Sequence, residues 1–597
     1  MKTILSYMEK DGEEYVYVDF ESIFLRVNLN LFEEYNNIRL SEQPTSTPSS
    51  LIDVINIDGT KYYLYTSKSN ILYLTNNVNK YCKVRQNLKC KVTDDYVCFY
   101  GLFSDITHKI EGFDKILLNG EVVGQVKRRS SEKKLKDYAI IKIAMKDILE
   151  SERIHNNLRI GKSQDLSVPV LMKTHHEGMN YWVKKKVGDN LIIVRSIING
   201  FKIRITNIKF EEEYKKVNMI KDSFAFALSK LIGTRNINLM FEKETNRACE
   251  SGFYAFEKIM ERQRQEKLKS KTYFVIDKNN EEYPRLKSLY GKNIIEKYSF
   301  RHYLYIYLCR YFISSELSNH VINPRLYIRR LNECIRSKPL IFLQHGIMFS
   351  KPVDNPAAAN FRKDNETVNF YKNIISSDLE ATQFYKCGFE DEDLIKCGLP
   401  KFDLAKMDDD ADKIMVMLTY RYWEESFVMD EDAIKETTYF KAYMRILEAF
   451  DKNGLLDRLI ISCHPKFTDF LNNLNPKYAK CVENDIAKGL AESKIFITDY
   501  SSASYDAHYR GAYIIYYWEE KDYLIKCYRA IPPINENNCD GVPVFSPEEL
   551  VEEVKYAISN NYIMDEKYEK RYSKINEFHD GKNGDRLLDE LSDLDVI

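Results

Sequence analysis

Apolar and polar positions alternate in short runs along the first part of the chain. Residues 14–20, 96–103, 115–118 and 191–198 each follow a two-residue period, the pattern of half-buried strands. Asn119-Gly120 before residues 121–123, and Asn199-Gly200 before residues 201–203, are hairpin signals. Residues 1–235 are therefore expected to be a β-rich accessory region, long enough for two small sandwiches. From about residue 240 the pattern changes. A helix is expected over 246–268, a strand over 273–276, a helix over 298–308 and an apolar segment over 311–314. A strand over 339–343 then ends at Gln344-His345-Gly346, and another covers 373–376. Short apolar strands alternating with helices predict a parallel, doubly wound sheet. The same alternation restarts after Gly398-Leu399-Pro400. Strands are expected over 413–418, 458–463, 494–498 and 512–517, with helices over 440–453 and from Pro547, capped by Ser546. The expected fold class is α/β, with two Rossmann-type doubly wound domains, 236–400 and 401–597, facing a cleft. Ligands of such sheets bind at the carboxyl ends of the strands.

At 597 residues the chain exceeds one core and is expected to form two to four domains. Hydrophobic residues make up 44% and charged residues 30%, a globular rather than a disordered balance. The formal net charge of −1 argues against a nucleic-acid partner, which calls for a basic face. Local basic runs at 127–136 and 258–271 read as solvated surface, or as a patch for anionic lipid or a polyanionic product. The 12 cysteines form no Cys-x-x-Cys pair, which suits free thiols in a reducing cytosol and gives no zinc spacing. No apolar window reaches the length of a membrane span. The expected location is cytoplasmic, with any membrane contact peripheral, on the inner face.

The densest chemistry lies at 496–506. An apolar strand runs into Asp499-Tyr500-Ser501-Ser502, and a helix can follow from Ala503. Hydroxyls and free N–H groups at a helix mouth make an anion site, although Ser and Asp are also ordinary caps. Two histidines stand at other strand ends, His345 beside Gly346 and His464 before Pro465. His345 reads either as a turn histidine bonded to backbone or as a catalytic base, and His464 either as a half-buried strand-end histidine or as a donor to developing charge. Tyr500 and Tyr505 read as core. The acidic run 408–412 lies in a connection and reads as a solvated linker. No Asp-x-Asp pair ends a strand, so neither a metal nor a cofactor is expected.

Taken together in order and spacing, these residues resemble the CDP-glycerol glycerophosphotransferases, which build or prime teichoic-acid and related capsule polymers. The resemblance spans about 240–597. It rests on residues 246–252, on His345-Gly346 with Lys351 downstream, and on Gly398-Leu399-Pro400-Lys401-Phe402-Asp403. Thr419-Tyr420-Arg421, His464-Pro465, Thr498 to Ser502 and residues 580–583 complete it. The chain departs from the family at Ser462, where members often carry Arg, and at Leu418, where many carry Pro.

The resemblance implies a GT-B-like fold, with the first domain on the acceptor side and the second on the nucleotide donor side. It implies transfer of a polyol phosphate, glycerol phosphate first among the choices, from a CDP-polyol donor with release of CMP. The acceptor would be a hydroxyl of a polymer or of its lipid-linked primer. It assigns His345 as general base and His464 as a donor to the diphosphate or leaving group. Ser501, Ser502, Asp499, Arg421, Lys351 and Gly346 become the donor and phosphate contacts. A GT-B glycosyltransferase using a nucleotide sugar, and a noncatalytic polymer-binding protein, are the alternatives, because fold alone does not settle function. The sequence leaves the oligomeric state open.

Overall fold

In the computed structural model, side chains are described for residues 203–597 apart from 324–325, 327, 356–360, 366, 425–433 and 464–475. Before residue 203 they are described for 88–101, 114–127, 138–151, 153–161, 170 and 183–195. Elsewhere the description is limited to the backbone of strands and helices. The chain divides into two compact units, Met1–Glu211 and Glu212–Ile597.

The first unit is β-rich. Its strands pair antiparallel except Asn37–Ile38, which runs parallel to Ile71–Thr75, and a four-stranded and a seven-stranded sheet share one apolar core. Val97, Phe99 and Ile141 from one sheet meet Ile116, Ile160 and Ile192 from the other in that core, the arrangement of a sandwich. The hairpin expected at Asn119-Gly120 is present. Strands Lys115–Leu118 and Glu121–Gln125 pair antiparallel, and both turn residues have positive φ, 56° and 106°. Asn199-Gly200 lies outside the described residues.

The second unit opens with helix α1 (Lys216–Ile232), so the division falls before the helix rather than near residue 235. Two parallel sheets follow. The first contains β1 (Ile237–Phe241), β2 (Lys271–Ile276), β3 (Ile294–Glu296), β4 (Tyr311–Ser314), β5 (Pro339–Phe342), β6 (Asn369–Ile375) and β7 (Leu394–Lys396), in the spatial order β3-β2-β1-β4-β5-β6-β7. The second contains β8 (Lys413–Val416), β9 (Leu459–Ile461), β10 (Ser493–Thr498), β11 (Tyr513–Tyr517) and β12 (Val542–Val544), in the order β9-β8-β10-β11-β12. Every pairing in both sheets is parallel. Both are doubly wound, as expected of a GT-B-like α/β unit. β1 and β11 are buried along their whole length, which helices on both faces of a parallel sheet require.

β1, β3, β7 and β12 go beyond the strands expected from the sequence. Each is only three to five residues long, too short to show a period. The helix expected over 246–268 is shorter, α2 (Ser251–Gln265). Its entry is fixed by Glu242, whose buried carboxylate accepts from the N–H groups of Cys249, Glu250 and Phe253 at 2.9, 2.9 and 2.8 Å. The final helix α8 (Asn583–Asp593) returns from the second sheet to pack on α2, with ion pairs Lys258–Asp585 at 3.0 Å and Arg262–Asp589 at 2.7 Å. This crossing ties the two halves together. The acidic run 408–412 is mostly exposed and leads into β8, as a solvated connection should.

Candidate functional site

In the second sheet the strand order reverses between β8 and β10, the point at which doubly wound sheets bind ligands, at the carboxyl ends of the strands. Asp499 follows β10 and spans that point. Its Oδ1 accepts from Thr419 N at 2.7 Å and from Tyr500 N at 2.6 Å. Its buried Oδ2 has no hydrogen-bond partner among the described residues, an arrangement that calls for a ligand or water. Tyr500 is fully buried and stacks on Trp518 with centroids 5.7 Å apart, and Trp518 Nε1 donates to the Asp499 carbonyl at 2.8 Å. Tyr505 is buried too and donates to Phe349 O at 2.9 Å. Both tyrosines build the wall beneath the site.

Ser501 and Ser502 lead into the short helix α6 (Ala503–Tyr509). Ser501 N donates to Thr498 Oγ1 at 3.2 Å, and its carbonyl accepts from Ser504 N and Ser504 Oγ. Ser502 is the N-cap residue, yet its side chain makes no capping bond. It faces the first half instead. A Cβ added at Gly346 would lie 2.9 Å from Ser502 Oγ, so glycine permits this approach. The two halves therefore meet where the His345-Gly346 turn touches the Asp-Tyr-Ser-Ser element.

The His345 turn follows β5. Gln344 takes a positive φ of 52°, a conformation that needs outside support. Helix α4 (Asp378–Lys386) supplies it through Glu380, which is fully buried. Glu380 Oε1 accepts from Gln344 Nε2 at 3.1 Å and Met348 N at 2.6 Å, and Oε2 accepts from Ser376 N at 2.6 Å. Burial pushes the Glu380 carboxyl up to about 7, against the pull of these bonds. His345 itself is exposed. Its Nδ1 lies 3.5 Å from the Ser315 carbonyl, a long contact. A carbonyl only accepts, so this contact favours the proton on Nδ1 and leaves the Nε2 lone pair open.

Lys351 is exposed, yet neighbouring protein groups crowd its ammonium. The crowding lowers its pKa, and the Asp499 charge opposes that shift. Lys351 and Asp499 thus lie within electrostatic reach of one another.

Arg421 is placed differently from the sequence expectation. It is only 2% exposed. Its terminal nitrogens are taken by Thr438 Oγ1 and by the Glu520 carboxylate. A guanidinium committed in this way braces the loop after β8, while its buried Nε has no hydrogen-bond partner among the described residues. His464, with Pro465, lies outside the described residues. The family departures at Leu418 and Ser462 share one partner. Tyr443 Oη accepts from Leu418 N and donates to Ser462 O, both at 2.9 Å. A proline at 418 would have no N–H for that bond.

The structure thus brings the His345-Gly346 turn against Ser502, and Lys351 within electrostatic reach of Asp499. Two supporting residues escape the sequence reading of the site. Ser377 to Glu380 has the Ser-x-x-Glu pattern of a capping box. Ser377 does cap Glu380 N at 3.0 Å, but the carboxylate goes to the histidine turn. Lys401 bonds the His345 carbonyl at 2.8 Å; its place in Gly-Leu-Pro-Lys was the available signal. Among the described residues no cluster of His, Cys, Asp and Glu is suited to hold a metal ion. No described helix is long and apolar enough to cross a membrane.

Residues 226–593 match the family described as CDP-glycerol:poly(glycerophosphate) glycerophosphotransferase. The minor teichoic acid biosynthesis protein GgaB of Bacillus subtilis (strain 168) is 26% identical over 351 residues, 54% of this chain and 37% of GgaB. The matched part thus spans little more than a third of that curated relative. Among solved structures, the wall teichoic acid polymerase TagF aligns at 15% identity with a TM-score of 0.42, covering 64% of this chain and 98% of TagF. A Staphylococcus aureus MnaA–UDP structure aligns at 13% identity with a TM-score of 0.36, covering 60% and 97%.

Proposed function

Because the chain belongs to the CDP-glycerol:poly(glycerophosphate) glycerophosphotransferase family, we propose that its cleft transfers glycerol phosphate from CDP-glycerol to an acceptor hydroxyl. The acceptor is a teichoic-acid-like polymer or its lipid-linked primer. The carrying observation is the approach of the His345-Gly346 turn to Ser502, which sets a base beside an anion site across the two halves.

The chemistry is phosphoryl transfer, in which positioning and charge stabilisation supply most of the rate. The acceptor oxygen attacks the glycerol-bearing phosphorus, and its proton passes to His345 Nε2. The bond from that phosphorus to the bridging oxygen breaks, and CMP leaves. Ser501, Ser502 and the Lys351 ammonium hold the diphosphate oxygens. Asp499 Oδ2 orders a donor hydroxyl or water between them. His464 completes the leaving-group side. In this reading residues 236–400 present the acceptor, 401–597 hold the nucleotide, and 1–235 are accessory. Fixed cationic and N–H groups take the place of a metal ion.

A donor panel tests this reading. Purified protein is given CDP-glycerol, CDP-ribitol or UDP-sugars with a glycerol-phosphate primer and EDTA. CMP release from a CDP-polyol is expected. UDP release from a sugar nucleotide, with no CMP, would make the protein a glycosyltransferase instead.

A lipid-linked acceptor also calls for a membrane surface. Helix α1 exposes Val217, Ile220, Phe224 and Leu231, the last 86% exposed, beside Lys216 and Lys230. Apolar side chains flanked by lysines suit the peripheral binding of an anionic bilayer. The wild type is expected to float with phosphatidylglycerol vesicles, and a Phe224→Glu, Leu231→Glu variant to stay behind. Equal flotation of the two would remove α1 as the contact.

A further inference from the structure

The His345 turn is held from a second side by a lysine in the connection between the two sheets. Lys401 Nζ lies 2.8 Å from the His345 carbonyl, 3.0 Å from Asp506 Oδ2 and 3.4 Å from Glu250 Oε2. These partners come from three places. His345 follows β5, Glu250 precedes α2 in the first half, and Asp506 lies within α6 in the second. The Lys401 side chain is only 15% exposed. Burial works against its charge, but the Asp506 and Glu250 carboxylates override that and hold its pKa above the usual lysine value. Asp506 is fixed in turn by Arg510 Nε at 3.1 Å, and Arg510 also donates to the Lys406 carbonyl. Next to the lysine, Phe402 stacks on Tyr509 of α6 with centroids 4.7 Å apart.

We propose that Lys401 is a positioning residue that couples the His345 turn to the helix Ser502 opens, and so sets the distance between base and anion site. The inference rests on the reading of His345 as the base. Its physical ground is the closeness of the two segments. A Cβ at Gly346 would lie 2.9 Å from Ser502 Oγ, so the serine side chain would have to turn away from its present place. A turn that drifts away from that contact takes the base out of line with the phosphorus. Lys401 bonds both the backbone of the turn and a carboxylate of the helix, and therefore resists such drift directly.

The test compares Lys401→Met, and the charge-balanced pair Lys401→Met with Asp506→Asn, against wild type and His345→Ala. The paired variant matters because a lone methionine leaves Asp506 buried beside fewer cations, which is destabilising in itself. A misplacement of roughly 1 Å is worth about 100-fold in rate. The paired variant is expected to fold and to lose about 100-fold in kcat, with KM for CDP-glycerol and CDP affinity within about threefold of wild type. A kcat within about threefold of wild type would overturn the inference. So would a loss that merely tracks the folded fraction, or failure of the paired variant to fold, since either marks a structural role alone. His345→Ala separates the two claims. If it keeps wild-type turnover, the base assignment fails. If it is inactive while the Lys401 variants turn over normally, only the Lys401 inference fails.

Discussion

His345→Ala is expected to lower CMP release by about 10²- to 10⁴-fold, the usual contribution of a general base. The donor should still bind, with affinity changed by less than about threefold, because the imidazole acts on the acceptor proton and not on the nucleotide. The structure supports such a separation of effects. The side chain is exposed. The turn is held by its backbone and its neighbours, through Glu380 on Gln344 and Met348 and through Lys401 on the His345 carbonyl. Removing the imidazole therefore leaves the turn and the Ser502 contact in place. Kinetics on the acceptor, together with CDP binding by calorimetry, check the claim. Loss of CDP binding in step with turnover would make His345 a nucleotide contact instead of a base.

Glu380→Ala is the second large effect, and it should fall on both stability and turnover. The substitution leaves Gln344 Nε2, Met348 N and Ser376 N without the carboxylate they bond. Each buried unpaired donor costs about 1–3 kcal/mol, so a loss of about 3–5 kcal/mol is expected after partial relaxation. Turnover should fall as well, because Gln344 has a positive φ and its support would be gone. Glu380→Gln offers a milder comparison with a pH signature. Burial holds this carboxyl near 7 in the folded chain against 4.5 as the reference value. Between those values the folded chain keeps a proton that the unfolded chain has lost. Stability from this group therefore falls as pH rises from about 4.5 through about 7 and is level above. Glu242, lifted to about 7 by the same burial, adds a slope of the same sign. Urea midpoints from pH 5 to 8 should show a shallower fall in Glu380→Gln than in wild type. Identical slopes would mean that Glu380 is not the protonated group.

The parallel architecture was legible because its longer strands are continuous apolar runs between helices and turn residues. β2, β4, β10 and β11 all fall where alternation predicts. β1 was not legible: five buried residues, Ile237–Phe241, look the same as the end of a helix until β2 and β4 pair on either side of them. Among the site residues, Gly346 and Ser502 were visible as a turn glycine and a helix cap, but their contact joins positions 156 residues apart, and only the fold supplies it. Arg421 shows the converse. Its residue type suits phosphate, and tertiary structure commits it to Glu520 and Thr438. Glu380 hid behind a local rule, since a capping glutamate and a carboxylate that supports the His345 turn share one sequence pattern.

The central claim is that the cleft acts on phosphorus, with His345 taking the proton. Phosphorus-31 NMR of wild type and His345→Ala, given CDP-glycerol and a glycerol-phosphate primer, tests it most directly. A new phosphodiester signal that grows in step with CMP in the wild type, and is lost in the variant, is the predicted result. A nucleoside diphosphate released from a sugar donor with no new phosphodiester, or a phosphodiester formed equally well without His345, would contradict it.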